Sequence, residues 1–144
     1  MPAGWNPMRA LVDTNLLVYA AGLRTTRERQ QEAIAVLDAV RGDAALTVQS
    51  LAEFSAVALR EGMPPAQCRD LVAAYQRSWT VLAPSAQTVA SALAAVAAHV
   101  LSFWDAMQWA VAREHGLQEM LTEDGPTEAV IEGVRFRNPL KHPG

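Results

Sequence analysis

Residues 9–20 read RALVDTNLLVYA, and the reading of this stretch decides the fold. A short apolar run, Ala10-Leu11-Val12, meets Asp13-Thr14-Asn15, and a second apolar run, Leu16-Leu17-Val18-Tyr19, follows. Aliphatic and β-branched residues in a run of that length suit a buried central strand. Thr and Asn start turns and cap helices. The stretch therefore predicts a strand that ends at Asp13 and turns into a helix. Asp13 then stands at the carboxyl end of a strand, where open α/β sheets place their ligands. A plain helix cap is the other account of Asp13, and this stretch alone leaves both open.

The 144 residues predict one domain, with its core over about 8–140 and flexible ends at 1–7 and 141–144. Apolar residues make up 51% of the chain and charged residues only 19%, which supports a real core and excludes general disorder. No apolar run reaches the length of a membrane span, and no secretory signal is visible. Cys68 is the single cysteine, so no intrachain disulfide can form, in keeping with the reducing cytoplasm. The net charge of −3 argues against a strongly basic nucleic-acid binder. If four acids share a metal site, however, the remaining balance is near neutral. Eleven of the basic residues are Arg, which suits bidentate phosphate contacts; a GC-rich genome would leave the same mark.

The segment 25–40 has apolar residues at Ala33, Ile34, Val36, Leu37 and Val40, near the helical period, with Thr25 or Thr26 as N-cap. Arg24, Arg27 and Arg29 cluster at its start, against the helix dipole. They are candidates for a phosphate-facing surface, or simply a solvated face. A second buried strand is expected at 44–48. The helix after it opens with Ser50-x-x-Glu53, which matches a capping box and would by itself explain Glu53. Helices at 66–77 and 85–98 flank a third strand at 79–82. The block 99–116 carries Ser102-x-x-Asp105 at the same spacing, then a helix ended by His115 and Gly116. Trp104 and Trp109 read as core residues. A fourth strand at 118–121 runs into the polar turn Thr122-Glu123-Asp124-Gly125-Pro126. Residues 129–131 and 134–136 read as a last edge strand interrupted by a turn or bulge.

Asp13 and Asp124 follow apolar strands, while Glu53 and Asp105 lie in the first turns of helices. In a parallel sheet, strand C-termini and helix N-termini share one edge, so the four carboxylates would meet in one crevice. Four such groups do not all stay ionised without a cation. Oxygen-only donors point to Mg²⁺ or Mn²⁺, and such an ion suits phosphoryl chemistry.

The chain resembles the PIN-domain nucleases, and within them the VapC-like toxins of bacterial toxin–antitoxin pairs. The resemblance rests on Val12-Asp13-Thr14-Asn15, Glu53, Leu101-Ser102-Phe103-Trp104-Asp105-Ala106 and Leu121-Thr122-Glu123-Asp124, and on the ending from Ile131 to Pro139. It implies a three-layer α/β/α sandwich with a mostly parallel central sheet. It implies a metal site of Asp13, Glu53, Asp105 and Asp124, with Asn15 orienting Asp13 and Thr122 bonding a ligand carboxylate or a water. Glu123 is a further acid in the same turn, behind Asp124 as a ligand. The expected activity is cleavage of RNA, tRNA or rRNA among its targets, by a metal-activated water. The expected partners are a cognate antitoxin and a second copy of the chain. A phosphoryl hydrolase on a related fold is an alternative, but Asn15 stands where such an enzyme commonly has a second Asp. A non-catalytic module whose acids are caps is another.

Overall fold

In a computed structural model, which describes residues 8–126 and 128–141, the first stretch forms strand β1 (Ala10–Val12) and helix α1 (Thr14–Ala20). The leader at 1–7 and the tail at 142–144, expected to be flexible, lie outside the described residues. Helix α2 (Arg27–Val40) starts on the cap Thr26, whose hydroxyl accepts from Arg29 N. Strand β2 (Ala44–Thr47) leads into α3 (Val48–Arg60), and α4 (Pro65–Ser78) takes Pro65 at its first position. Strand β3 (Thr80–Leu82) is followed by α5 (Ala86–Ala98), where Ser85 and Thr88 form a reciprocal capping box. Helix α6 (Phe103–Glu114) stops at His115 and at Gly116, whose φ of +71° glycine adopts without strain. Strands β4 (Glu119–Leu121), β5 (Val130–Ile131) and β6 (Val134–Arg137) complete the chain.

The strands form one sheet in the order β3-β2-β1-β4-β6-β5. All neighbours run parallel except the β5–β6 pair. Side chains of β1, β2 and β4 alternate between two cores, as the pleat requires. Ala10, Val12, Ala44, Leu46 and Leu121 face α1–α4, whereas Leu11, Ala45 and Met120 face α5 and α6. The result is the expected three-layer sandwich. Its two helical layers follow from topology. The chain steps outward from β1 to β2 to β3, then returns to β4 on the other side of β1. Right-handed crossovers in opposite directions put their helices on opposite faces.

Two local expectations change. The segment expected as one interrupted edge strand is a hairpin, turned at Glu132 and Gly133, both in the left-handed region (φ 46° and 87°). Of its two strands, β5 lies at an edge of the sheet and β6 sits inside it beside β4. Helix α3 starts earlier than the capping-box reading has it. Thr47, not Ser50, is the N-cap, and its Oγ1 accepts from Ser50 N at 2.9 Å. Ser50 is inside the first turn, and Glu53 falls in the second. The cap explanation of Glu53 therefore fails.

Candidate active site

The reversal of strand order falls between β1 and β4, and open α/β sheets have their ligand crevices at such points. Asp13 leaves β1 there and Asp124 follows β4. Glu53 arrives on α3 and Asp105 on the first turn of α6. All four line one cleft of about 270 Å³, together with Thr14, Asn15, Gln49, Trp104 and Arg24.

Asp13 is held by the backbone and by neighbours. Its Oδ1 accepts from Thr14 N at 2.7 Å and from Gln108 Nε2 at 3.5 Å. Its Oδ2 accepts from Thr122 Oγ1 at 2.8 Å, and Thr122 Oγ1 in turn accepts from Asp124 N at 3.1 Å. Burial raises the Asp13 pKa, the Thr122 and Thr14 bonds oppose this, and the charges of Asp105 and Glu53 raise it further. Glu53 Oε1 accepts from Gln49 Nε2 at 2.7 Å, one turn before it, and Oε2 from Thr14 Oγ1 at 3.2 Å. The Asp105 pKa is also raised, first by burial, with a hydrogen bond from Ser102 lowering it and the charges of Asp124 and Glu53 raising it. Gly125 turns the chain after β4 in the left-handed region (φ 88°), which glycine adopts without strain.

The expected role of Asn15 is to orient Asp13; its side-chain hydrogen bond goes instead to Asp124. Its Nδ2 donates to Asp124 Oδ2 at 3.3 Å, while its Oδ1 is buried with no hydrogen-bond partner among the described residues. Trp109 is core, its Nε1 donating to Ile131 O at 3.0 Å, but Trp104 is not. Trp104 is 60% exposed on the lip of the cleft, edge-on to Phe103.

The three arginines do not form one surface. Arg24 lines the cleft and pairs with Glu61 at 2.6 Å, and Arg27 is exposed. Arg29 is buried, with its guanidinium 4.2 Å from the Tyr19 ring centroid and ion-paired to Glu123. Tyr19 Oη donates to Glu123 Oε1 at 2.5 Å. Glu123 does not line the cleft but is tied to Tyr19, which does, and to Arg29, so Arg29 is not available to a phosphate.

Sequence reasoning passed over Thr14, Gln49 and Gln108 as partners of the acids. Thr14 and Gln49 stand one and four residues from an acid, so local spacing contained the signal. Gln108 gave one too, as a lone amide inside an apolar helix.

The donor set is all oxygen, the charges of Asp105 and Glu53 raise the Asp13 pKa and those of Asp124 and Glu53 raise that of Asp105, and Asn15 offers an unused buried acceptor. That chemistry fits a hard divalent cation with retained water. Among the described residues, no group of three or more His, Cys, Asp or Glu side chains is arranged, as placed, to hold a metal ion. The acids line the cleft without closing on one point. Among the described residues, no helix is long and apolar enough to cross a membrane.

Residues 10–129 match the family model of the PIN domain. Similar solved structures include a toxin–antitoxin complex from Klebsiella pneumoniae (TM-score 0.71, 23% identity, covering 92% of this chain and 99% of that one). Another is Mycobacterium tuberculosis VapC20, a Sarcin-Ricin loop cleaving toxin (0.67, 21%, 81% and 90%). A third is FitAcB from Neisseria gonorrhoeae (0.61, 19%, 90% and 97%). At such identities the likeness is one of fold. No curated protein matches the chain.

Proposed function

Because the chain belongs to the PIN-domain family, we propose that it is a metal-dependent endoribonuclease and the toxin of a toxin–antitoxin pair. The observation that carries this reading is the convergence of Asp13, Glu53, Asp105 and Asp124 on one cleft at the switch point of the sheet. The toxins among the structural neighbours support it.

In this reading the four carboxylates would hold Mg²⁺ or Mn²⁺. When bound, such an ion supplies water activation and charge relief at a phosphodiester. Binding would draw in side chains that now repel one another. Thr122 fixes Asp13 and the backbone of Asp124 together, so the two strand-end acids move as one unit. Asn15 holds Asp124 and leaves its Oδ1 as a hydrogen-bond acceptor. Arg24 offers a phosphate contact at the rim, and Trp104 an indole face for a nucleobase. Arg27 is a more distant phosphate contact. RNA, tRNA and rRNA included, is the substrate, and the partners are a cognate antitoxin and a second copy of the chain. The cytoplasm is the place of action.

The test is incubation of the purified protein with total bacterial RNA and Mn²⁺ or Mg²⁺. Discrete cuts are expected that disappear with EDTA and fall to the EDTA level in Asp13→Asn. Full cleavage by a folded Asp13→Asn protein would overturn the acid-cluster mechanism. Trapping of an aspartyl-phosphate on Asp13 would replace the nuclease with a phosphoryl hydrolase. Calorimetry showing no Mn²⁺ binding, together with no cleavage, would leave a non-catalytic module.

A further inference from the structure

Gln108 lies on α6, one turn beyond Asp105, among Ala106, Met107, Trp109, Ala110 and Val111. It is 2% exposed. An amide in such surroundings is costly unless it is hydrogen-bonded, and an apolar side chain would pack the position without that cost. Gln108 is bonded at both ends. Its Oε1 accepts from Thr47 Oγ1 at 2.9 Å. Its Nε2 donates to Ser50 Oγ at 2.5 Å and to Asp13 Oδ1 at 3.5 Å. The orientation of the amide follows from chemistry. An ionised Asp13 can only accept, so the NH₂ must face it. Thr47 Oγ1 accepts from Ser50 N and has one proton to donate, for which the amide oxygen at 2.9 Å is a nearer acceptor than Ser50 Oγ at 3.2 Å.

These bonds join the elements that carry three of the four acids. Asp13 ends β1, Ser50 stands one turn before Glu53 on α3, and Asp105 stands one turn before Gln108 on α6. A carboxylate has about four lone-pair sites. On Asp13, Thr14 N and Gln108 occupy Oδ1 and Thr122 occupies one site of Oδ2, leaving one site on Oδ2. Gln108 is also neutral. A Lys or Arg in its place would satisfy Asp13 as Arg29 satisfies Glu123, and would compete with a cation.

We infer that Gln108 is a positioning residue for the metal site: it turns Asp13 so that Oδ2 faces the cleft, and leaves its charge for a divalent ion. This rests on the metal reading above. The test is Mn²⁺ titration by calorimetry of wild type, Gln108→Leu and the unbranched Gln108→Met, with thermal melts of each in EDTA. Wild type is expected to bind. The folded variants are expected to bind roughly 10–100-fold more weakly, the usual loss when an outer partner of a ligand is removed. Their metal-free Tm should stay close to wild type, since Thr47 and Ser50 hydroxyls lie 3.2 Å apart and can bond each other. Cleavage by the variants should recover in part as Mn²⁺ is raised, which a purely structural defect would not allow. Variants that bind Mn²⁺ within twofold of wild type overturn the role of Gln108 and leave the metal site intact. A wild-type protein that takes up no Mn²⁺ defeats the metal reading and this role with it.

Discussion

Glu123 and Asp124 are neighbours in one turn, yet they belong to two different regions. Glu123 enters a corner where the buried Arg29 and Tyr19 satisfy it. Asp124 enters the cleft, where Asn15 and the charge of Asp105 face it. In the corner the protein supplies its own cation. In the cleft, neutral donors orient the acids (Thr14, Gln49, Gln108 and Thr122), and Arg24 at the rim pairs with Glu61 on the surface rather than with one of the four acids. The difference teaches that an acid is marked for ligand binding by what its surroundings withhold rather than by its place in a motif.

The comparison predicts opposite responses to substitution. Arg29→Met should have the largest effect, a loss of about 3 kcal/mol measured by urea denaturation, at the low end for breaking a buried pair because Glu123 keeps some water contact. A loss near zero would mean that the corner is no drier than the cleft. Next comes metal addition. Mn²⁺ at a hundredfold excess over its Kd should stabilise the wild type by about 2.7 kcal/mol in thermal melts, and Asp105→Asn by much less. Equal gains in the two proteins would move the binding site out of the cleft.

The smallest effect has the reverse sign. In EDTA at neutral pH, Asp105→Asn should raise Tm, because it removes a carboxylate that burial and its neighbours disfavour. The folded pKa of Asp105 lies above its unfolded value, so the ionised group destabilises the fold fully above the folded pKa. The advantage of Asp105→Asn should therefore fade as pH falls through that raised pKa toward the ordinary carboxylate value. A lower Tm for the variant at neutral pH would show Asp105 to be a cap after all.

The strand-turn-helix at Asp13 was legible because local sequence decides it: a β-branched apolar run ends in cap-forming residues. The convergence of the acids was legible because a parallel sheet has one carboxyl edge. Other features depend on distant partners. Thr47 and Ser50 are both competent caps, and only the end of β2 chooses between them. Arg29 reads as a solvated helix residue until Tyr19 and Glu123 close over it. Trp104 reads as core by composition, yet the helix start turns it toward the cleft. The value of Gln108 appears only when α6 packs against Ser50 and the end of β1.

The return of the chain from β3 to β4 has a consequence in time. Thr122 bonds Asp13 across 109 positions, and β4 pairs with β1 only after three crossovers. Contacts so distant in sequence form slowly and after local units. A chain emerging from the ribosome as far as α5 contains Asp13 and Glu53 but neither α6 nor β4. No nascent fragment of that length can assemble the four-acid cleft. The four acids share one cleft only once the fourth strand has docked.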